Sequence, residues 1–111
     1  MQTFHPSAKM LREADKAILV CGDLHLEKLK GYWMIDCAAA TENMLLAAHA
    51  KGIGACWLGL YPRDDRMIGI RKLITLPDHI IPFALISLGY PAEKKPFENR
   101  YQQSRIHHNE W

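Results

Sequence analysis

The sequence predicts one domain of mixed helix and strand that carries a long polar arm and cannot complete its own packing. Three observations carry this. The first is the run Trp33 to Gly59, WMIDCAAATENMLLAAHAKGIGACWLG, which reads as a long small-residue helix, a glycine stop, a buried strand and a tryptophan–leucine–glycine exit. The second is two further unbroken apolar runs, AILVC at Ala17–Cys21 and IIPFALISLG at Ile80–Gly89; short apolar runs ended by turn residues are the pattern of covered strands. The third is the stretch after Tyr90, which is polar, rich in Pro, Glu and Asn, and without periodicity.

Each element has a local reason. A short helix is expected from about Pro6 to Lys16, since Pro6 suits a first helical position and Met10, Leu11 and Ala14 give one apolar side. AILVC follows as a strand buried on both faces and ended by Gly22 and Asp23, and the polar stretch Leu24 to Tyr32 connects it onward. The long helix runs from about Trp33 to Lys51. It is apolar on nearly every side, so it must be sandwiched, between the sheet and a second subunit. Asp36 and Asn43 share one azimuth and Glu42 and His49 another, but each pair is seven residues apart, roughly 10 Å along the axis, so neither is a dyad. Gly52 is a natural left-handed stop. Ala55 to Leu60 is the second strand. Pro62 and Arg63 open a third helix whose early Asp64 and Asp65 and late Arg71 and Lys72 complement the helix dipole, with Met67, Ile70 and Leu73 or Ile74 as its core stripe. Pro77 and Asp78 turn the chain into the third strand, where Pro82 is tolerable near the start or on an edge.

Three strands make a thin sheet, and the buried helix needs more covering than the chain supplies. Either the chain is an obligate oligomer, or part of the domain is missing, or both hold.

Bulk composition excludes several classes. A chain of 111 residues, 49% hydrophobic and 23% charged, is an ordinary single globular domain. A net charge of +2 with dispersed basic residues argues against a nucleic-acid surface. No apolar stretch approaches the ~20 residues of a membrane span, and no signal pattern opens the chain. Cys21, Cys37 and Cys56 lie in apolar elements without metal-like spacing, which points to buried small hydrophobes in a reducing, cytoplasmic setting.

The chemical candidates are few. GIGACWLG, Gly52 to Gly59, has spaced glycines, but a helix precedes it and a strand follows, the reverse of a dinucleotide fingerprint. His107, His108 and Glu110 are terminal and mostly adjacent, a poor basis for zinc, so no metal is expected. His49 reads as a satisfied core histidine. Ser87 and Ser104 lack a nucleophile elbow. Arg100 and Arg105 are placed to clamp a phosphate or to be solvated arm charges.

With the long helix, the GIGACWLG turn, LITLPDHIIPFALISLGYPAE and the tail ENRYQQSRIHHNEW in this order, the chain resembles the FMN-dependent nitroreductases. The resemblance is strongest from Asp36 through Pro91 and again in the tail. It implies an α+β fold, a mixed sheet flanked by helices, built as an intertwined homodimer in which the long helix packs at the interface. Residues 1–90 would then be a partial, N-terminally truncated domain, and 91–111 an extended arm that embraces the partner. The resemblance implies that Trp57, Leu58 and Gly59 lie beside the flavin ring and that Arg100, in NRY, reaches the FMN phosphate. It implies hydride transfer from NAD(P)H through flavin to a nitroaromatic, a quinone or a similar acceptor. No catalytic side chain is named, because the cofactor carries the chemistry. The arginine- and serine-containing segment with which such proteins begin is absent here, so FMN binding is expected to be weak or lost. The alternative is a non-catalytic remnant or ligand-binding module that keeps the dimer core.

Overall fold

A computed structural model describes residues 8–111 of the protein. In chain order these form a 3₁₀ turn (Ala8–Arg12), strand β1 (Lys16–Asp23), helix α1 (Trp33–Ala50), strand β2 (Gly54–Gly59), helix α2 (Asp64–Leu73), strand β3 (Ile80–Gly89) and a 3₁₀ turn (Gln103–Arg105). The strand order is β1–β3–β2, with β3 antiparallel to both neighbours. β1 and β2 are therefore parallel, joined by α1 and separated by β3, a split βαβ arrangement. Where the resemblance implies a mixed sheet, every strand pair among the described residues is antiparallel.

The first helix is shorter than expected. Only Ala8–Arg12 turn, in 3₁₀ form, and Lys16 already pairs with Leu88 as the first residue of β1. Its expected start at Pro6 lies outside the described residues. Pairing with β3 wins over a helical periodicity that had only one turn of apolar contacts to offer.

β1 also departs from expectation. It is an edge strand, so Lys16, Ala17 and Ile18 stay exposed and only Val20 and Gly22 are buried. The covered strand is β3, in the centre, where Pro82, Ala84, Leu85, Ile86 and Ser87 are all buried. Pro82 sits in this central strand because the β1–β3 register slips between Val20 and Cys21, opposite Ala84 and Pro82. A bulge is where a missing N–H costs least.

The sheet has a core on each face. On one, Val20, Cys37 and Ile86 pack with Trp33, Met44 and Leu45 of α1. On the other, Leu58, Leu60, Leu85 and Ile70 of α2 pack with Ala8, Leu11 and Met67. In α2 the expected stripe stops at Ile70: Leu73 and Ile74 are exposed because the helix ends there, and Leu76 packs on the core instead. Arg71 does more than complement the dipole. Its guanidinium donates to the carbonyl oxygens of Pro77 (3.3 Å), Asp78 (3.5 Å) and Ile80 (2.6 Å) and fixes the turn into β3.

α1 ends as the sequence predicts. Gly52 has φ +71°, Ile53 N–H donates to Ala48 O and Gly52 N–H to His49 O, both at 2.9 Å, the bonding of a Schellman stop. Inside the helix the buried Thr41 hydroxyl donates to Cys37 O at 2.7 Å. Within one protomer α1 is covered on one side only. Ile35 is 60% exposed and Leu46 59%, and Ala39 and Ala50 lie exposed on the same side. His49 is exposed as well, not in the core. No helix among the described residues is long and apolar enough to cross a membrane.

From Tyr90 to Trp111 every residue is exposed. The radius of gyration is 16.6 Å, against about 13 Å for a compact chain of this length. The arm accounts for the excess.

Candidate functional site

β2 positions three of the expected site residues by simple alternation. Leu58 points into the α2-side core, 2% exposed, so its neighbours Trp57 and Gly59 point to the opposite, α1-side face. Trp57 is half-buried, with its ring 5.9 Å from that of Phe83. Phe83 in turn meets Trp33 (6.1 Å) and Tyr61 (6.5 Å), and Trp33 meets Tyr61 edge-on at 4.8 Å. These four rings form one aromatic wall at the exit of β2.

Gly59 is the opening beside that wall. A Cβ built there would meet nothing within 4 Å, and its φ is not positive. Its glycine is thus required neither by the backbone nor by a neighbouring atom of the protomer. The Gly59 carbonyl is held by Arg66 of α2, whose Nη1 donates to it at 2.8 Å, while Arg66 Nε is buried without a partner. Leu60 and Tyr61 both donate their N–H to Phe83 O, at 3.1 and 3.0 Å. The strand exit is therefore held in place, and among the described residues no other strand pairs with the outer side of β2.

Arg100 is not brought to this place within one chain. Its side chain is 85% exposed and pairs with Glu98 at 2.7 Å. It lines a hollow made wholly of arm residues, Glu98 to Gln102 with Arg105 and Ile106. Of the four residues expected to hold flavin, Trp57 and Gly59 share one face of β2, Leu58 lies in the core on the other face, and Arg100 stays in the arm. The exit of β2 could take a flat ring: an open backbone position, an aromatic wall and a fixed carbonyl lie together there. Trp33, Tyr61, Phe83 and Arg66 carry no local signal of their role, because their convergence depends on the crossover and on the turn into β3.

A hollow of about 460 Å³ lies beside the end of β1, lined by Cys21, Gly22, the 26–29 loop, Tyr32, Trp33, Asp36 and Cys37. Trp33 covers Gly22 so closely that a Cβ at position 22 would collide with its ring. The surroundings of the two cysteines favour the neutral thiol over the thiolate. Burial, then the neighbouring Cys37, pushes the Cys21 thiol up against the opposing pull of Arg71, and burial followed by Asp36 pushes Cys37 up.

One further cluster joins residues far apart in sequence. Asp23, His25 and His79 bring their ligand atoms within 4.8 Å of one another.

The chain is similar to proteins of one kind. A protein of Methanothermobacter thermautotrophicus carrying the provisional name NADH dehydrogenase/NAD(P)H nitroreductase is 49% identical over 107 residues, 96% of this chain and 56% of that protein. The crystal structure of a Parabacteroides distasonis protein of the same provisional name matches with a TM-score of 0.91 at 45% identity, over 99% of this chain and 64% of that one. An FMN-dependent nitroreductase from Clostridium difficile R20291 matches with a TM-score of 0.81 at 26% identity, over 91% of this chain and 61% of that one. The chain thus spans little more than half the length of the first relative and under two thirds of these solved chains. The α+β fold is that of these structures, and the nitroreductase profile matches residues 5–90. The chain belongs to the nitroreductase family.

Proposed function

We propose that two copies of this chain assemble an FMN-dependent NAD(P)H oxidoreductase of nitroreductase type in the cytoplasm. The observation that carries the proposal is Gly59, open on its Cβ side at a strand end held in place beside four aromatic rings. When bound, the flavin would supply hydride transfer from a nicotinamide to a nitroaromatic, quinone or similar acceptor. The residues of the chain would bind, orient and shield it. Gly59 lets a planar ring lie against the backbone, Trp57 and its neighbours limit water, and Leu58 anchors the strand from the other face. Arg100 offers a forked, permanently charged donor for the phosphate.

Two features support the second copy. α1 presents Ile35, Ala39, Leu46 and Ala50 outward with nothing over them, an apolar stripe that a second α1 can cover. The arm, residues 91–111, places Phe97, Tyr101 and Trp111 in solvent, where large apolar groups gain by docking on another subunit. Three free cysteines agree with a reducing compartment.

A second reading has its own support. Arg100 lies on Glu98 and not at β2 within the protomer, which favours a dimer core that holds no flavin productively. Titration of FMN, followed by quenching of its fluorescence, separates the two. The flavoprotein reading expects saturable binding that weakens by roughly ten- to a hundredfold in Arg100→Ala, since a charge-assisted contact contributes about 1.5–3 kcal/mol. No binding at millimolar flavin favours the second reading, and tight binding indifferent to Arg100 means the phosphate sits elsewhere.

A further inference from the structure

We propose that Asp23, His25 and His79 bind one divalent transition metal ion of the zinc class, which clips the end of β1 to the start of β3. Nothing in this rests on flavin.

The backbone that carries these residues is fixed. Asp23, the last residue of β1, lies opposite Ile80, the first of β3. Leu24 N–H donates to His79 O at 3.0 Å, so the two segments stay joined one step beyond the sheet. Arg71, the neighbouring cation, is committed to the carbonyl oxygens of Pro77, Asp78 and Ile80, and so holds the turn that presents His79.

The side chains are close to a ligand set. One ring nitrogen from each histidine and one carboxylate oxygen lie within 4.8 Å of one another, with His79 Nε2 4.0 Å from Asp23 Oδ1. Metal–ligand bonds of about 2.0–2.2 Å in a tetrahedral site put ligand atoms roughly 3.3 Å apart, so closure by about 1–1.5 Å is enough. The imidazole of His25 lies flat on that of His79, ring centres 3.8 Å apart and planes 5° apart. Lone pairs of parallel rings do not converge, so His25 must swing to complete the set. It is free to do so: His25 is exposed, whereas Asp23 and His79 are half-buried. Its backbone stays in reach because His25 N–H donates to Asp23 Oδ1 at 2.9 Å. Two preset ligands and one swinging ligand make the site.

The donor set selects the metal. Two imidazoles and one carboxylate suit zinc, nickel, cobalt or copper, whereas a hard cation such as calcium or magnesium needs more oxygen ligands than the one carboxylate supplies. Three protein ligands leave a fourth position for water. The ion would fasten the loop that follows β1, whose residues 26–29 line the 460 Å³ hollow.

The test uses the full chain with His107→Ala and His108→Ala, which removes the adjacent arm histidines. Zinc is titrated in competition with a colorimetric chelator, and then again after adding His79→Ala, His25→Ala or Asp23→Asn. One equivalent per chain is expected, with each change weakening binding at least about tenfold, and zinc should raise the thermal midpoint only while both histidines are present. His25→Ala removes an exposed side chain and leaves the fold intact, so its result stands even if another variant misfolds. Unchanged affinity in His25→Ala or His79→Ala overturns the assignment, as does the absence of binding below millimolar zinc. Cobalt reports the ligands directly: a thiolate charge-transfer band would give the ion to the cysteines and would also overturn it.

Discussion

Replacing Gly59 by valine separates fold from site more cleanly than any other change in this chain. A Cβ at position 59 meets no heavy atom within 4 Å and the backbone φ is not positive, so the protomer accepts a side chain there without strain. Glycine inside a strand is disfavoured by roughly 0.5–1 kcal/mol relative to alanine, and valine is a strand former, so stability should hold or rise by up to about 1 kcal/mol. The effect on a ring lying against the backbone is opposite. Some ten atom pairs at about 0.1–0.2 kcal/mol each are disturbed, and a gap of only 0.5–1 Å forfeits a quarter to a half of each; the collision with two methyl groups adds to that. The forfeited contacts come to roughly 0.3–1 kcal/mol before the collision is added, so FMN affinity should fall by several-fold or more. Urea unfolding reads the first quantity and flavin fluorescence titration the second. Equal affinity in Gly59→Val would show that no ring approaches this backbone, and the placement of the cofactor would be wrong. A large fall in stability would show instead that something already occupies the space.

Two further changes probe the assembly and the core. Leu46→Glu should lower the mass seen in sedimentation, because a leucine 59% exposed in the protomer contributes about 1.5–3 kcal/mol only if a partner covers it; an unchanged mass removes α1 from the interface. The raised thiol of Cys21 favours its protonated form in the fold, so its share of stability is complete below its ordinary value of 9.0 and is lost as pH rises through the higher folded value; urea midpoints that fall above pH 9 should fall less steeply in Cys21→Ala, and parallel curves would remove Cys21 as the cause.

The fold was legible where one local signal decided it. Gly52 after a helix-length run fixed the α1 stop, and Ile80–Gly89 matched β3 residue for residue, because a long apolar run admits few alternatives. β1 was misjudged because AILVC looks the same in a central strand and at an edge; the order β1–β3–β2 depends on which strand the crossover skips, and local sequence does not record that. The same limit governs the site. Trp57, Leu58 and Gly59 are adjacent in sequence and can be singled out together from it, whereas the aromatic wall draws on Trp33, Tyr61 and Phe83 from three separate segments. The cluster of Asp23, His25 and His79 was invisible for the same reason: 54 positions separate the two histidines, and only β1–β3 pairing closes that distance.

If the arm crosses to a second subunit, Gly59 of one chain and Arg100 of the other belong to the same site, and this has a consequence in mixed dimers. A chain carrying Gly59→Val still offers a sound Arg100, and a chain carrying Arg100→Ala still offers a sound Gly59. In a dimer of one of each, one site combines both lesions and the other combines neither. Unfolding and refolding the two variants together at equal concentrations gives half mixed dimers, so about one quarter of all sites should regain the unmodified pairing. Flavin titration of the mixture should then show about that fraction binding with unaltered affinity, where each variant alone shows none. An arm that stays on its own subunit predicts the contrary: every site keeps one lesion, mixing restores nothing, and the two-chain site must be given up even if both single variants behave as expected.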